Sequence, residues 1–245
     1  MQIYIILIAL TMNLFARPSD FKVQRVEQPL KDLNPEYLVS TPTLAKGQKA
    51  KLLIYLHGSG GRGNDIQRLA MQLRALHVGL AHHQPTILLA PQCARTTQDG
   101  TPATWLPSDL NILLDHALST LSIDEDKVYL TGNSMGGYGT WVWGATSPER
   151  FAAIAPVAGG IGAKGPKDVT NELDLWAKSL AKVPVYAYTG GQDRVVPAEY
   201  SQRLIKMIKT AGGKTAVYKE YPQEGHGVRQ IVYSSELFYQ SLFKH

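Results

Sequence analysis

The sequence predicts an α/β domain with a mostly parallel central sheet flanked by helices. Apolar, β-branched runs recur along the chain, stretches of helical period separate them, and several runs are apolar at successive positions instead of alternating. That last pattern belongs to strands covered on both faces, as parallel strands are. The strand candidates are Phe21 to Val26, Lys51 to Leu56, Thr86 to Ala90, Lys127 to Thr131, Ala152 to Val157, Val183 to Thr189 and Thr215 to Tyr221. The helix candidates are Asp65 to Leu76, Asp109 to Leu121, Met135 to Ala145, Leu173 to Ala181, Ala198 to Lys209 and Ser234 to Phe243. No repeat, linker or shift of composition interrupts the series, so residues 17–245 read as one domain.

Composition agrees with a folded chain. Across 245 residues, 44% are apolar and 18% charged, enough for a sizeable core, which excludes a disordered or collagen-like protein. The net charge of +5 is dispersed and does not interleave with aromatic residues, which argues against nucleic acid as a partner. Cys93 is the single cysteine and reads as a small buried hydrophobe. No Cys-His cluster has zinc-ligand spacing, and His82 and His83 read as a solvated loop, so neither metal nor cofactor is expected.

Residues 1–16, MQIYIILIALTMNLFA, carry no charged side chain and hold an apolar run from Ile3 to Leu10 before Arg17. The segment resembles a secretory signal and is shorter than the roughly 20 residues of a membrane span. Export to the periplasm or the exterior is therefore expected, without stable membrane insertion. A buried first strand is the alternative, because short apolar runs are ambiguous.

In parallel α/β sheets ligands bind beyond the carboxyl ends of the strands, so the residues after each strand are the ones that carry chemistry. Val128-Tyr129-Leu130-Thr131 is followed by Gly132-Asn133-Ser134-Met135-Gly136-Gly137-Tyr138-Gly139. A G-x-S-x-G alone is weak, but here a strand leads in and a helix-period segment leads out, the setting in which a serine occupies a strained elbow with its hydroxyl exposed. Gly136, Gly137 and Gly139 would each cost about 1 kcal/mol inside an ordinary helix, so close backbone packing is expected there.

A serine hydroxyl is a weak nucleophile at neutral pH and needs a histidine base oriented by a carboxylate. Asp193 follows the strand Val183 to Thr189, and His226 follows the strand Thr215 to Tyr221. Singly, Asp193 reads equally well as a helix cap and His226 as an ordinary loop residue, and Asp168 or Asp174 are alternative acids. Together, Ser134, Asp193 and His226 stand in the order expected of a nucleophile on such a turn, its acid and its base. Two backbone N–H groups should receive a developing oxyanion: Met135, directly after the serine, and Ser59 in the loop His57-Gly58-Ser59-Gly60-Gly61-Arg62. That loop lacks the glycine and lysine spacing of a phosphate cradle. His57 reads as an element that positions the loop, and Trp141 and Trp143 read as core.

These residues resemble the serine-dependent α/β-hydrolases, specifically the small esterase group of predicted peptidases, phospholipase/carboxylesterases and feruloyl-esterase-like proteins. The similarity runs from about Lys51 to His226, through Leu56-His57-Gly58-Ser59-Gly60, Ala90-Pro91-Gln92-Cys93 with Trp105 downstream, the Tyr129 to Trp141 stretch and Pro148-Glu149-Arg150-Phe151 to Pro156. The resemblance implies an α/β-hydrolase fold with nucleophile Ser134, acid Asp193 and base His226. The chain departs from the group at Thr189-Gly190-Gly191, where His-Gly usually stands, and at Gly227-Val228-Arg229 after the histidine.

The expected activity is hydrolysis of short-chain or soluble carboxylic esters through an acyl-enzyme. A serine peptidase acting on short peptides is the alternative within enzymes, and a catalytically silent binding protein on the same fold is the alternative outside them. The interval Ala158 to Lys182 holds too little apolar sequence for a lid, so a small-molecule or acylated-carbohydrate ester is the expected partner.

Overall fold

The computed structural model describes residues 20–163 and 165–245, so the expected signal segment lies outside the described residues. Strands β1 (Lys22–Arg25), β2 (Leu33–Ser40), β3 (Ala50–Leu56), β4 (Thr86–Cys93), β5 (Ile123–Asn133), β6 (Ala153–Val157), β7 (Val185–Gly190) and β8 (Ala216–Tyr221) form one sheet among the described residues. Their order is β1-β2-β4-β3-β5-β6-β7-β8. β2 pairs antiparallel with both β1 and β4, and every pair from β4 through β8 is parallel.

The strands are apolar throughout because both faces are covered. Along β3, Leu52, Ile54 and Leu56 point into one core while Leu53 and Tyr55 point into the other. The first core also takes side chains from α2 (Pro107–Thr120), α3 (Met135–Thr146), α4 (Leu173–Leu180) and α5 (Ala198–Thr210). The second takes them from α1 (Arg74–Leu80), α6 (Arg229–Tyr233) and α7 (Glu236–Leu242). Each fully buried leucine of these strands contributes about 1.5–3 kcal/mol relative to exposure. Trp141, Trp143 and Cys93 are buried as expected.

The structure corrects four local expectations. β2 has no counterpart in the sequence reading because Pro35 interrupts its run. The structure accommodates the proline where the β2–β4 register shifts between Leu33 and Tyr37, and the Pro35 carbonyl accepts the Val26 N–H at 2.9 Å. The single helix expected over Asp65 to Leu76 is a 3-10 turn at Ile66–Leu69 followed by α1, although Ile66, Leu69, Leu73 and Leu76 do share the buried face that the periodicity showed. Gln92 Nε2 donates to the Asp65 carbonyl at 3.1 Å, the acceptor that a continuous helix would offer to Leu69. The last helix starts at Glu236, and α6 precedes it unannounced, too short for a periodic signal. His83 is not a solvated residue: its Nε2 lies 3.1 Å from Glu236 Oε1 and its ring stacks on Tyr239 at 5.1 Å.

Between β6 and α4 an isolated bridge joins Ile161 and Val169, and among the described residues no large lid is present. Among the described residues no helix is long and apolar enough to cross a membrane.

Because β3 through β8 run parallel, the loops after β3, β5, β7 and β8 emerge at one edge of the sheet. β4 and β5 lie on opposite sides of β3, so the chain changes direction across the sheet beside β3, the position at which such folds form a binding crevice.

Candidate active site

Ser134 sits between the last residue of β5 and the first of α3, with φ 57° and ψ −118°. That backbone is unfavourable for a residue with a Cβ, and it turns the side chain out of the strand-to-helix corner. The neighbouring glycines permit the turn by close approach. A Cβ at Gly136 would collide with the Leu56 carbonyl at the end of β3, and one at Gly137 would stand 2.6 Å from Gly159 Cα.

The loops after β7 and β8 bring two further residues to this corner. His226 Nδ1 lies 2.8 Å from Asp193 Oδ2, and His226 Nε2 lies 2.8 Å from Ser134 Oγ. The Asp193 side chain is 1% exposed while that of His226 is 29% exposed, so the carboxylate is enclosed and the ring is partly open to solvent. Asp193 also accepts the Val195 and Val196 N–H groups at 2.8 and 2.9 Å through Oδ1. Burial raises the Asp193 pKa, but the His226 hydrogen bond and these two N–H groups outweigh it and hold the carboxyl below its ordinary value. An ionised carboxylate only accepts, so Nδ1 carries the hydrogen and Nε2 is left to accept from the Ser134 hydroxyl.

Asp193 is therefore bonded to its own loop and to His226, not to the start of α5, where Pro197 stands at the cap position. The carboxylate that meets His226 is that of Asp193, not of Asp168 or Asp174. Met135 opens α3, and Ser59 opens the 3-10 turn Ser59–Gly61; N–H groups at such positions have no partner within their own helix. Both residues line the same cavity as Ser134, a crevice of about 330 Å³ with Arg62, Thr104 and Tyr138 also in its wall.

His57 is fully buried. Its Nδ1 donates to the Gly58 carbonyl at 2.6 Å, and Trp105 Nε1 donates to the His57 carbonyl at 3.2 Å. Burial pushes its pKa down to about 4, which keeps the ring neutral and suits it to hold the loop.

Sequence reasoning missed the supports of the opposite wall. Arg62 Nε donates to the Ala103 carbonyl at 2.5 Å, and the Thr104 N–H donates to Asp32 Oδ2 at 2.8 Å. Asp109 Oδ2 in turn accepts the N–H groups of Lys31, Asp32 and Leu33. In sequence Asp109 looks like any acidic residue in the first turn of a helix, and nothing local signals contact with a segment more than seventy residues earlier. Among the described residues no three His, Cys, Asp or Glu side chains gather as a metal site would require.

A model of the dienelactone hydrolase family matches residues 92–232, more than half of the chain and a span that holds Ser134, Asp193 and His226. The chain belongs to this family. Among its relatives is a protein assigned as a carboxymethylenebutenolidase in Methylorubrum extorquens, 30% identical over 125 residues that make up 51% of this chain and 42% of that protein. The chain thus matches less than half the length of such curated relatives. A crystal structure of a thermostable esterase superposes with a TM-score of 0.75 at 27% identity, over 92% of this chain and 63% of the other. The S-formylglutathione hydrolase of Staphylococcus aureus shares the fold at a TM-score of 0.69 and 14% identity, over 91% of this chain and 96% of the other. Family and fold agree: this dienelactone hydrolase family member has the α/β-hydrolase architecture of the esterase structures it superposes on.

Proposed function

We propose that the protein is a serine esterase acting on short-chain or soluble carboxylic esters. The observation that carries this reading is the His226 ring, which bridges Ser134 Oγ and Asp193 Oδ2 at 2.8 Å on each side. Ser134 Oγ attacks the ester carbonyl carbon while His226 Nε2 takes the hydroxyl proton; Asp193 holds the ring and stabilises the imidazolium. The oxyanion receives the Met135 and Ser59 N–H groups. His226 then gives its proton to the leaving oxygen, the alcohol departs, and an acyl group remains on Ser134. Water activated by His226 adds to that acyl group, and the carboxylic acid leaves with the serine restored.

The cavity supports the choice of substrate. About 330 Å³ is at the small end of ligand pockets, and Gly160, Gly162, Ala163, Gly165 and Pro166 give its wall small residues in place of a long apolar channel. An acetyl or other compact acyl group, as on an acylated carbohydrate or a phenolic ester, fits this space. Residues 1–16, read as a removable leader, would bring the enzyme to such substrates outside the cytoplasm. The mass of the chain recovered from the periplasm or medium tests that part.

The test is a series of p-nitrophenyl esters from acetyl to palmitoyl, run beside feruloyl esters, acetylated xylan and a short peptide, with Ser134→Ala as the control. The variant should fold and lose at least ~10³ in kcat, because the hydroxyl is the reacting group. An unchanged rate would overturn the assignment of Ser134. Rates that climb with chain length would overturn the short-acyl reading, and amide cleavage without ester cleavage would replace the esterase by a peptidase.

A further inference from the structure

Beneath Ser134, on the side away from the crevice, lies a buried polar contact that the proposed reaction does not use. Tyr55 projects from β3 into the core beside α6, where its ring meets Tyr233 edge to face with centroids 5.8 Å apart. Its hydroxyl is fully enclosed and donates to Asn133 Oδ1 at 2.6 Å. Asn133 is the last residue of β5, and the next residue is Ser134 in its left-handed turn. The other end of the Asn133 amide faces the loop after β3: a Cβ at Gly58 would stand 3.2 Å from Asn133 Nδ2.

The Tyr55 ring also meets α6, the helix that follows the histidine loop, through Tyr233. Arg229 opens α6, three residues after His226, and its guanidinium lies close enough to the Tyr55 hydroxyl to moderate the rise in pKa that burial imposes. Between His226 and α6 the chain is a tight turn, with the Val228 N–H on the Gly225 carbonyl at 3.2 Å. One phenol thus stands where the nucleophile elbow, the Gly58–Ser59 loop and the start of α6, just after the histidine loop, converge. A phenylalanine would fill the same volume in this core, so packing alone gives no reason for the oxygen.

We infer that the Tyr55 hydroxyl is a positioning group for the reaction, setting through Asn133 the placement of the Ser134 elbow against the loop that supplies the oxyanion donor. The inference rests on the esterase reading above. Tyr55 touches neither substrate nor the reacting atoms; it acts by holding the serine in its productive orientation, where small displacements cost rate and not binding.

The experiment compares the full chain with Tyr55→Phe, Asn133→Ala and the double variant on p-nitrophenyl acetate, with every kcat divided by the active sites titrated with a fluorophosphonate. Normalising to titrated sites keeps the comparison valid even where a variant folds in part. For Tyr55→Phe we expect kcat per site to fall about tenfold with KM within about twofold, and labelling of Ser134 to slow in proportion. The double variant should be no slower than Asn133→Ala, because the hydroxyl acts through that amide. A Tyr55→Phe enzyme with kcat within about twofold of the parent, a loss confined to KM, or losses that multiply in the double variant would each overturn the inference while leaving the esterase reading in place. Failure of the parent chain to label at Ser134 or to cleave the ester would instead overturn the esterase reading, and this inference with it.

Discussion

His57 Nε2 accepts the backbone N–H of Cys93 at 3.0 Å, so a buried imidazole joins the end of β3 to the end of β4. A protonated ring has no lone pair to offer, and protonation would break this contact inside the core. Burial lowers the His57 pKa from 6.5 to about 4, whereas the unfolded chain titrates near the ordinary value. With the folded value depressed, the contribution to stability is complete above pH 6.5 and is lost as the pH falls from there toward 4. From this residue the protein should be about 2 kcal/mol less stable at pH 5 than at pH 7. Urea unfolding at the two pH values, on the parent and on His57→Gln, checks this; equal losses in both proteins would refute it. The depressed Asp193 carboxyl is lost at still lower pH, outside this window.

The backbone at Ser134 makes a second prediction. With φ at 57°, removing the Cβ relieves strain that removing the hydroxyl leaves in place. Ser134→Gly should therefore be more stable than Ser134→Ala by about 1 kcal/mol, while both are inactive. Chemical denaturation of the two variants decides it, and an alanine variant as stable as the glycine one would show that the elbow is unstrained.

Gly136 should tolerate no side chain. A methyl group there would overlap the Leu56 carbonyl, which neither α3 nor β3 is free to move, since Leu56 is paired with Gly132 across the sheet. Gly136→Ala should cost about 3 kcal/mol or more. A melting temperature within a few degrees of the parent would mean that the helix and strand can separate.

Chelation should leave ester hydrolysis intact, because every step proposed for Ser134, His226 and Asp193 is proton transfer or acyl transfer among these three residues, the substrate and water. Activity measured after dialysis against EDTA should match the untreated enzyme. Loss that added zinc or calcium restores would require a different mechanism.

What the sequence determined by itself is what depends on short range. Hydrophobic period distinguishes strands from helices within a few residues, and unbroken apolar runs announce a sheet covered on both faces. The serine elbow is likewise local, since Gly132 to Gly139 lie within one strand-to-helix corner, and chain order was enough to nominate Asp193 and His226 beside it. The tertiary structure decided which groups meet. Asp193 became the carboxylate facing His226, ahead of Asp168 and Asp174, only when β7 and β8 lay side by side with their carboxyl ends together. β2 was illegible because its proline is acceptable only at an irregularity created by pairing with β4. Asp109 holding the Lys31–Leu33 backbone, His57 bonded to Cys93 and Tyr55 bonded to Asn133 leave no trace in their own neighbourhoods of sequence. A buried hydrogen bond needs both partners, and when these stand tens of residues apart, only packing of the whole sheet supplies the second one.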